Sequence, residues 1–353
     1  MKEFNNIKLS EISWIKIGGN CKRFLVIDDS EELKKFTLDN FKNGNKFDVI
    51  GWSCNTLFSD EGISTDIVQI KSNNIEIDFD KKLLPESHIT NVEARHSVYK
   101  NKNITSGYET QSIEYDEVEG QDVIVKVDSG VALSYLINYL IDNGIVGLHY
   151  LAGIPSSVGA AAINNIHGGQ KSFSNYIYAV EIVDIDGKIK LLTNEEMSFD
   201  YDYSALQHRG SVVIAVYFLL KYGDKARSKN ASIEWAKKKA TQPKNSLGSA
   251  FHNLTKETQE KFGLPTPSAA YLIEHVLKLS GFRVGGVMVP EQTPPGEVQI
   301  NKNILINVGN GTAEDYYAVL DKIWEEANKI GIRIKTEIHF KGFDKKRIEK
   351  FLY

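Results

Sequence analysis

The period of the apolar positions changes several times along the chain, and each change predicts an element. Residues 30–43 have helical spacing. Leu33, Phe36 and Phe41 form one stripe, Glu31 and Glu32 fall in the first turn, and Ser30 stands where a cap belongs. Residues 47–50 read as a short strand running into Gly51, and 67–70 as another. From 71 to 120 the pattern weakens to short alternating runs, such as 92–98, which predict short strands and loops. The Val-Ile-Val-Lys-Val run makes 122–127 a strand, Ser129-Gly130 turns the chain, and 133–143 is helical up to Gly144. Residues 178–184 and 188–192 form a hairpin across Asp186-Gly187, and 212–221 is a strongly apolar strand. A basic helix at 225–240 reads as an inter-domain connector. Beyond Gln242-Pro243 the pattern predicts a helix at 269–279, a Pro-rich loop at 290–296, a strand at 304–308, a helix at 313–330 and a terminal strand at 334–340. Helix and strand signals alternate without an internal repeat, so the class is α/β or α+β.

Composition narrows the function. The 353 residues are 42% apolar and 25% charged, which excludes wholesale disorder and predicts two or three domains with a substantial core. A net charge of −4 requires neither nucleic acid nor an anionic membrane as partner. Cys21 and Cys54 supply no disulfide framework and no metal-ligand pair. No stretch approaches the roughly 18 apolar residues of a membrane span, and the start lacks an apolar signal core. A soluble cytoplasmic enzyme is the expectation.

Three stretches carry candidate chemistry. In the first, Gly51-Trp52-Ser53-Cys54-Asn55-Thr56, a strand enters a turn of small and hydroxyl residues. Such a turn seats a diphosphate or is an ordinary polar turn, and alone the latter is the better reading. The second is the small-residue run containing Gly153, Ile154, Pro155, Ser156, Ser157, Gly159 and Ala160. Its glycines admit a close backbone approach, and Ser156-Ser157 can cap a helix whose first N–H groups receive phosphate oxygens. Close helix-to-sheet packing explains it equally well; paired with the first turn, binding becomes the better reading. The third joins Ser249, in Gly248-Ser249-Ala250-Phe251-His252-Asn253, to Glu337 on the apolar terminal strand. Together they can act as proton donor and polarising acid, although spacing alone favours a capping Ser and a solvated Glu.

The ordered set of these blocks resembles the UDP-N-acetylenolpyruvoylglucosamine reductase (UDP-N-acetylmuramate dehydrogenase) family. Ile17-Gly18-Gly19, Phe199-Asp200-Tyr201, Leu272-Ile273-Glu274 with Gly281, Asn307-Val308-Gly309-Asn310-Gly311-Thr312-Ala313 and Gly342 complete the match across nearly the whole chain. The resemblance implies an α+β chain with the two-subdomain FAD-binding fold of the UDP-N-acetylmuramate dehydrogenase and vanillyl-alcohol-oxidase type, followed by an α+β substrate domain. The corresponding expectation is FAD subdomains at 1–70 and 71–224 and a substrate domain at 225–353, its last strand returning toward the flavin. It further implies non-covalent FAD, NADPH as reductant, and hydride delivery to the enolpyruvyl double bond of a nucleotide-sugar. The protein is expected to be a monomer or weak dimer. Carried over by position, Ser249 is the proton donor, Glu337 its acidic partner, and Tyr201 and Asn253 substrate contacts. The turns at 51–56 and 153–160 then hold the cofactor.

The chain also departs from the family pattern. The family's arginine after Phe-x-Tyr is Asp202 here, with Arg209 seven residues on as a candidate replacement. A lone Asp202 roughly 4 Å from a substrate carboxylate, at an effective dielectric constant of about 20, is repelled by about 4 kcal/mol. Trp52 is bulky where the family is glycine-rich. Ile166-His167-Gly168-Gly169 replaces an alanine-glycine-alanine run, 290–296 replaces a serine-containing segment, and 71–120 is longer than usual. These departures leave three readings: the cell-wall reductase itself, a relative acting on another nucleotide-sugar, or a flavin-binding protein without turnover.

Overall fold

The computed structural model describes residues 1–80, 82–84, 115, 117, 120–169, 171–294 and 297–352. Most of the expected strands and loops at 71–120, including 92–98, lie outside the described residues, as do Pro295 and Gly296 of the Pro-rich loop. The chain divides into two compact units. One comprises Met1–Lys2, Leu25–Gly51 and Val68–Ala240, the other Glu3–Phe24, Trp52–Ile67 and Thr241–Tyr353.

The first unit is built on an antiparallel sheet whose strands run in the order Ile189–Thr193, Ile177–Val183, Val212–Tyr222, Asp122–Asp128, Ile75–Asp78. Two-residue alternation divides its side chains between faces. Val123, Val125 and Val127 enter one core with the helix Leu133–Asp142, while Ile124 points to a second core with Tyr178 and Tyr217. Val183, Val212 and Ile214 join a third core under the helix Ser30–Lys42. That helix forms where its apolar stripe predicts, but its cap is Asp29, which accepts the Glu32 N–H at 2.7 Å, and Ser30 is its first residue. The basic helix Lys225–Ala240 is more than a connector. Ser228, Ala231, Ser232 and Trp235 bury one face of it in the first unit.

In the second unit, the amphipathic helix Ala313–Lys329 buries Tyr316, Val319, Leu320, Ile323 and Ala327. Thr312 and Asp315 cap it reciprocally. Asp60 adds a second cap, its carboxylate accepting the N–H groups of Ala313 (2.9 Å) and Glu314 (3.1 Å). Gly19 permits this approach, since a Cβ there would lie 2.1 Å from the Asp60 carbonyl oxygen.

Three predicted elements change. The helix at 269–279 makes a single turn, Ala269–Tyr271, and then widens, with Leu277 N–H reaching Leu272 O. The strand at 304–308 shrinks to Ile306–Asn307. The terminal strand is His339–Lys341, parallel to Thr56–Phe58. Ile334, Thr336 and Ile338 are buried in alternation, as the pattern required, but the stretch is held by an isolated bridge between Phe251 and Thr336 and single backbone bonds rather than by a ladder. No described helix is long and apolar enough to cross a membrane.

Asp60→Ala strips the second cap from the helix Ala313–Lys329 and is expected to cost about 1 kcal/mol, with Asp60→Asn milder. Urea titration of the two variants checks this, and equal stability of Asp60→Ala and wild type would show the cap to be idle.

Candidate functional site

In the second unit the site begins with Gly248. Its φ is +79° and nothing lies within 4 Å of where a Cβ would be, so glycine is there for conformation rather than space. Half-buried Ser249 follows, then fully buried Ala250 and Phe251. Asn303 clamps this stretch. Its backbone carbonyl accepts Ala250 N–H at 2.7 Å, its Oδ1 accepts Phe251 N–H at 3.0 Å, and its Nδ2 donates to Phe251 O at 2.7 Å. The Ala250 carbonyl in turn accepts the Glu337 N–H at 3.0 Å and the Thr336 hydroxyl at 2.7 Å. Ser249 is thereby one residue from a direct backbone bond to Glu337.

Asn55 belongs to the same arrangement. Its Nδ2 donates to Glu337 O at 2.9 Å, and its carbonyl accepts the His339 N–H at 3.0 Å. The side chain expected in a phosphate turn therefore holds the backbone of the proposed acid. Ser53, just before it, has a φ of +56° and is 5% exposed, and its hydroxyl has no partner among the described residues. Trp52 stays exposed, so its bulk displaces nothing there. Burial pushes the Cys54 thiol up to about 12. Thr56 opens the strand that pairs with His339. Asn253 uses its Oδ1 on the N–H of Ala269 at 3.1 Å, a helix-capping bond that its position in the sequence did not reveal.

Two further residues lie near Glu337 that sequence reasoning passed over. His252 brings a ring nitrogen within 4.8 Å of a Glu337 carboxylate oxygen. Its signal was its place inside the Gly248–Asn253 block. Tyr316 is fully buried, and its hydroxyl has no partner among the described residues. Burial, reinforced by the Glu337 charge, holds its phenol far above the usual range. Only the helix register of Ala313–Lys329 brings it there.

In the first unit Gly51 packs against the second small-residue run. A Cβ on Gly51 would lie 2.7 Å from Ser157 Oγ and 3.2 Å from Ala160 Cβ. Ser157 caps the short helix Val158–Ile163 through a long 3.4 Å bond from Ala160 N–H, and Ser156 donates its hydroxyl to Ser157 O at 3.0 Å. Exposed Pro155 and half-buried Ile154 lead into the turn. Gly153, at φ +85°, packs on the helix Lys225–Ala240, 3.0 Å from Ala236 Cα to where its Cβ would be. Gly159 departs from expectation. A Cβ there would lie 2.7 Å from Ser129 Cβ, and its N–H donates to Ser129 O at 2.8 Å while Val158 N–H donates to Val131 O at 2.9 Å. Those two N–H groups are taken by the protein's own backbone, so the start of this helix does not offer them to a phosphate. The buried hydroxyls of Ser129 and Ser72 have no partner among the described residues.

Asp202 also departs from expectation, because it is not a lone anion. Its Oδ1 lies 2.9 Å from His167 Nδ1, and the Tyr201 ring packs on that imidazole at 4.9 Å between centroids. Arg209 does not replace the missing arginine. Its Nε and Nη2 grip Asp184, with Nη2–Oδ2 at 2.7 Å, which holds the Asp184 carboxyl well below its usual range.

The chain is similar to known proteins over nearly its whole length. Residues 96–193 match the FAD binding domain family, and residues 240–341 match the UDP-N-acetylenolpyruvoylglucosamine reductase C-terminal domain family. The chain is 26% identical to the UDP-N-acetylenolpyruvoylglucosamine reductase of Halalkalibacterium halodurans over 342 residues, 96% of this chain and 93% of that one. To the Pediococcus pentosaceus protein of that name it is 30% identical over 233 residues, 65% and 71% of the two chains. The crystal structure of UDP-N-acetylenolpyruvylglucosamine reductase from Thermus caldophilus shares the fold, with a TM-score of 0.66 at 22% identity, covering 96% of this chain and 98% of that one.

A flavin dinucleotide fits the residues present in that each unit offers polar groups without a partner among the described residues: the buried hydroxyl of Ser129 in the first unit and that of Ser53 in the second. Ser53→Ala is expected to leave the melting temperature almost unchanged, because it removes an unsatisfied buried group, while weakening FAD about fivefold through one lost hydrogen bond. Flavin fluorescence titration and thermal melting read the two effects separately. Gly159→Leu, by contrast, is expected to lower the melting temperature even with FAD in excess, since its side chain collides with Ser129.

Proposed function

The chain belongs to the UDP-N-acetylenolpyruvoylglucosamine reductase family and is a flavin-dependent oxidoreductase, and we propose that it reduces the enolpyruvyl double bond of a UDP-sugar with NADPH as reductant. FAD, held without a covalent bond by the turns at 51–56 and 153–160, supplies the hydride chemistry. The carbon that bears the substrate carboxylate then takes on negative charge and needs a proton. The Ser249 hydroxyl donates it as the charge develops, and Glu337 is the acidic partner in that transfer. Tyr201 and Asn253 contact the substrate. The reading is supported by the Ala250 carbonyl, which bonds Glu337 N–H and the Thr336 hydroxyl one residue along the chain from Ser249.

A second reading, turnover of a different nucleotide-sugar, is favoured by Asp202, which puts an acid paired with His167 where the family has an arginine. The two readings part in one experiment. The purified protein is expected to show a flavin absorbance that NADPH bleaches. The UDP-enolpyruvyl sugar then restores it under the first reading, and only another nucleotide-sugar does so under the second. Bleaching without recovery by any nucleotide-sugar would leave a flavin-binding protein without turnover.

Ser249→Ala is expected to leave bleaching by NADPH intact and to slow recovery by roughly 10²–10⁴-fold. Glu337→Gln is expected to slow the same half-reaction. Unchanged turnover in Ser249→Ala would remove Ser249 from the chemistry.

A further inference from the structure

The two departures at 167 and 202 meet in space. His167 and Asp202, each unlike the family pattern at its own place in the sequence, are hydrogen-bonded to one another at 2.9 Å. Their backbones are tied together as well. The Ser204 hydroxyl donates to Ile163 O at 2.6 Å, Asn165 Nδ2 donates to Asp200 O at 2.7 Å, and Gln207 Nε2 donates to Asp202 O at 3.0 Å. This bracing surrounds Asp202 at a φ of +49°, in the left-handed region that Asp adopts more readily than most non-glycine residues.

The chemistry of the pair follows from its burial. The Asp202 side chain is 14% exposed and, when ionised, only accepts hydrogen bonds, so the imidazole donates from Nδ1. That fixes the ring's orientation and directs Nε2 away from Asp202. His167 keeps 32% of its side chain exposed, and Tyr201 covers one side of the ring. When both ring nitrogens carry protons, a pair so held presents Nε2–H for a charge-assisted hydrogen bond to an oxyanion.

We propose that His167, positioned by Asp202, binds an oxyanion of the substrate through Nε2–H. The ligand class is a carboxylate or phosphate oxygen, and the inference rests on the nucleotide-sugar reading above. On this inference Asp202 does not repel the substrate, because it acts through the cation it orients.

Binding is measured on the FAD-loaded protein with four probes: the UDP-enolpyruvyl sugar, UDP-N-acetylglucosamine, pyruvate and inorganic pyrophosphate. His167→Ala is expected to weaken oxyanion probes by roughly 10- to 100-fold, the worth of one hydrogen bond to a charged group. Loss confined to the enolpyruvyl sugar and pyruvate identifies a carboxylate, and loss shared by UDP-N-acetylglucosamine and pyrophosphate identifies a phosphate. His167→Gln, which keeps a neutral donor near the Nε2 position, is expected to recover part of the loss and serves if His167→Ala does not fold. Asp202→Asn is expected to weaken the same probes in the same order. The ¹⁵N signal of His167 Nε2 is expected to shift when an oxyanion probe is added to wild type and not in Asp202→Ala, a change that a purely structural role would not produce. If all four probes bind His167→Ala and His167→Gln as they bind wild type, the inference is overturned. Failure of the wild type to turn over any nucleotide-sugar would instead overturn the proposed function, with the pyruvate and pyrophosphate arms still deciding the role of His167.

Discussion

The second unit depends on one carbonyl oxygen. Ala250 O accepts from both Thr336 and Glu337, while Asn303 grips the residues on either side of the Ala250–Phe251 peptide. These bonds join stretches far apart in the chain, and closing such long loops costs entropy that a few bonds of about 1 kcal/mol each do not offset. The shared core does, through Leu57, Phe251, Leu305, Tyr316, Ile334 and Ile338. The carbonyl then converts that generic burial into a specific register, in which Ala250 is bonded to Glu337 and Asn55 reaches Glu337 O.

The first unit uses small residues for two different ends. Gly153 and Gly159 let segments of the protein pack on one another, against Ala236 and Ser129. Ser53 in the second unit and Ser72 and Ser129 in the first bury hydroxyls without a partner among the described residues. Each such group costs about 1–3 kcal/mol if it stays unsatisfied. A bound polar ligand is the kind of partner that relieves such a cost.

The His167–Asp202 pair shows why a family pattern is best compared in space. Read one position at a time, Asp202 is an anion facing an anionic substrate and His167 an unexplained bulky residue. Read together, they are one group in which the Asp202 carboxylate fixes the orientation of the His167 ring.

The sequence by itself determined the helices Ser30–Lys42, Leu133–Asp142, Lys225–Ala240 and Ala313–Lys329, the long strand Val212–Tyr222 and the hairpin turn at Asp186-Gly187. It also determined the family blocks that carry the flavin reading. These signals are local: a stripe of apolar residues, a cap or a turn glycine acts within a few positions of itself. Only the tertiary structure decided that Asn55 serves Glu337, that Arg209 belongs to Asp184, that Gly159 faces Ser129 and that the last strand is His339–Lys341. Each of those outcomes turns on which distant donor or acceptor reaches a polar group first. No local pattern encodes that competition, because it is settled by how the cores bring remote stretches of backbone together.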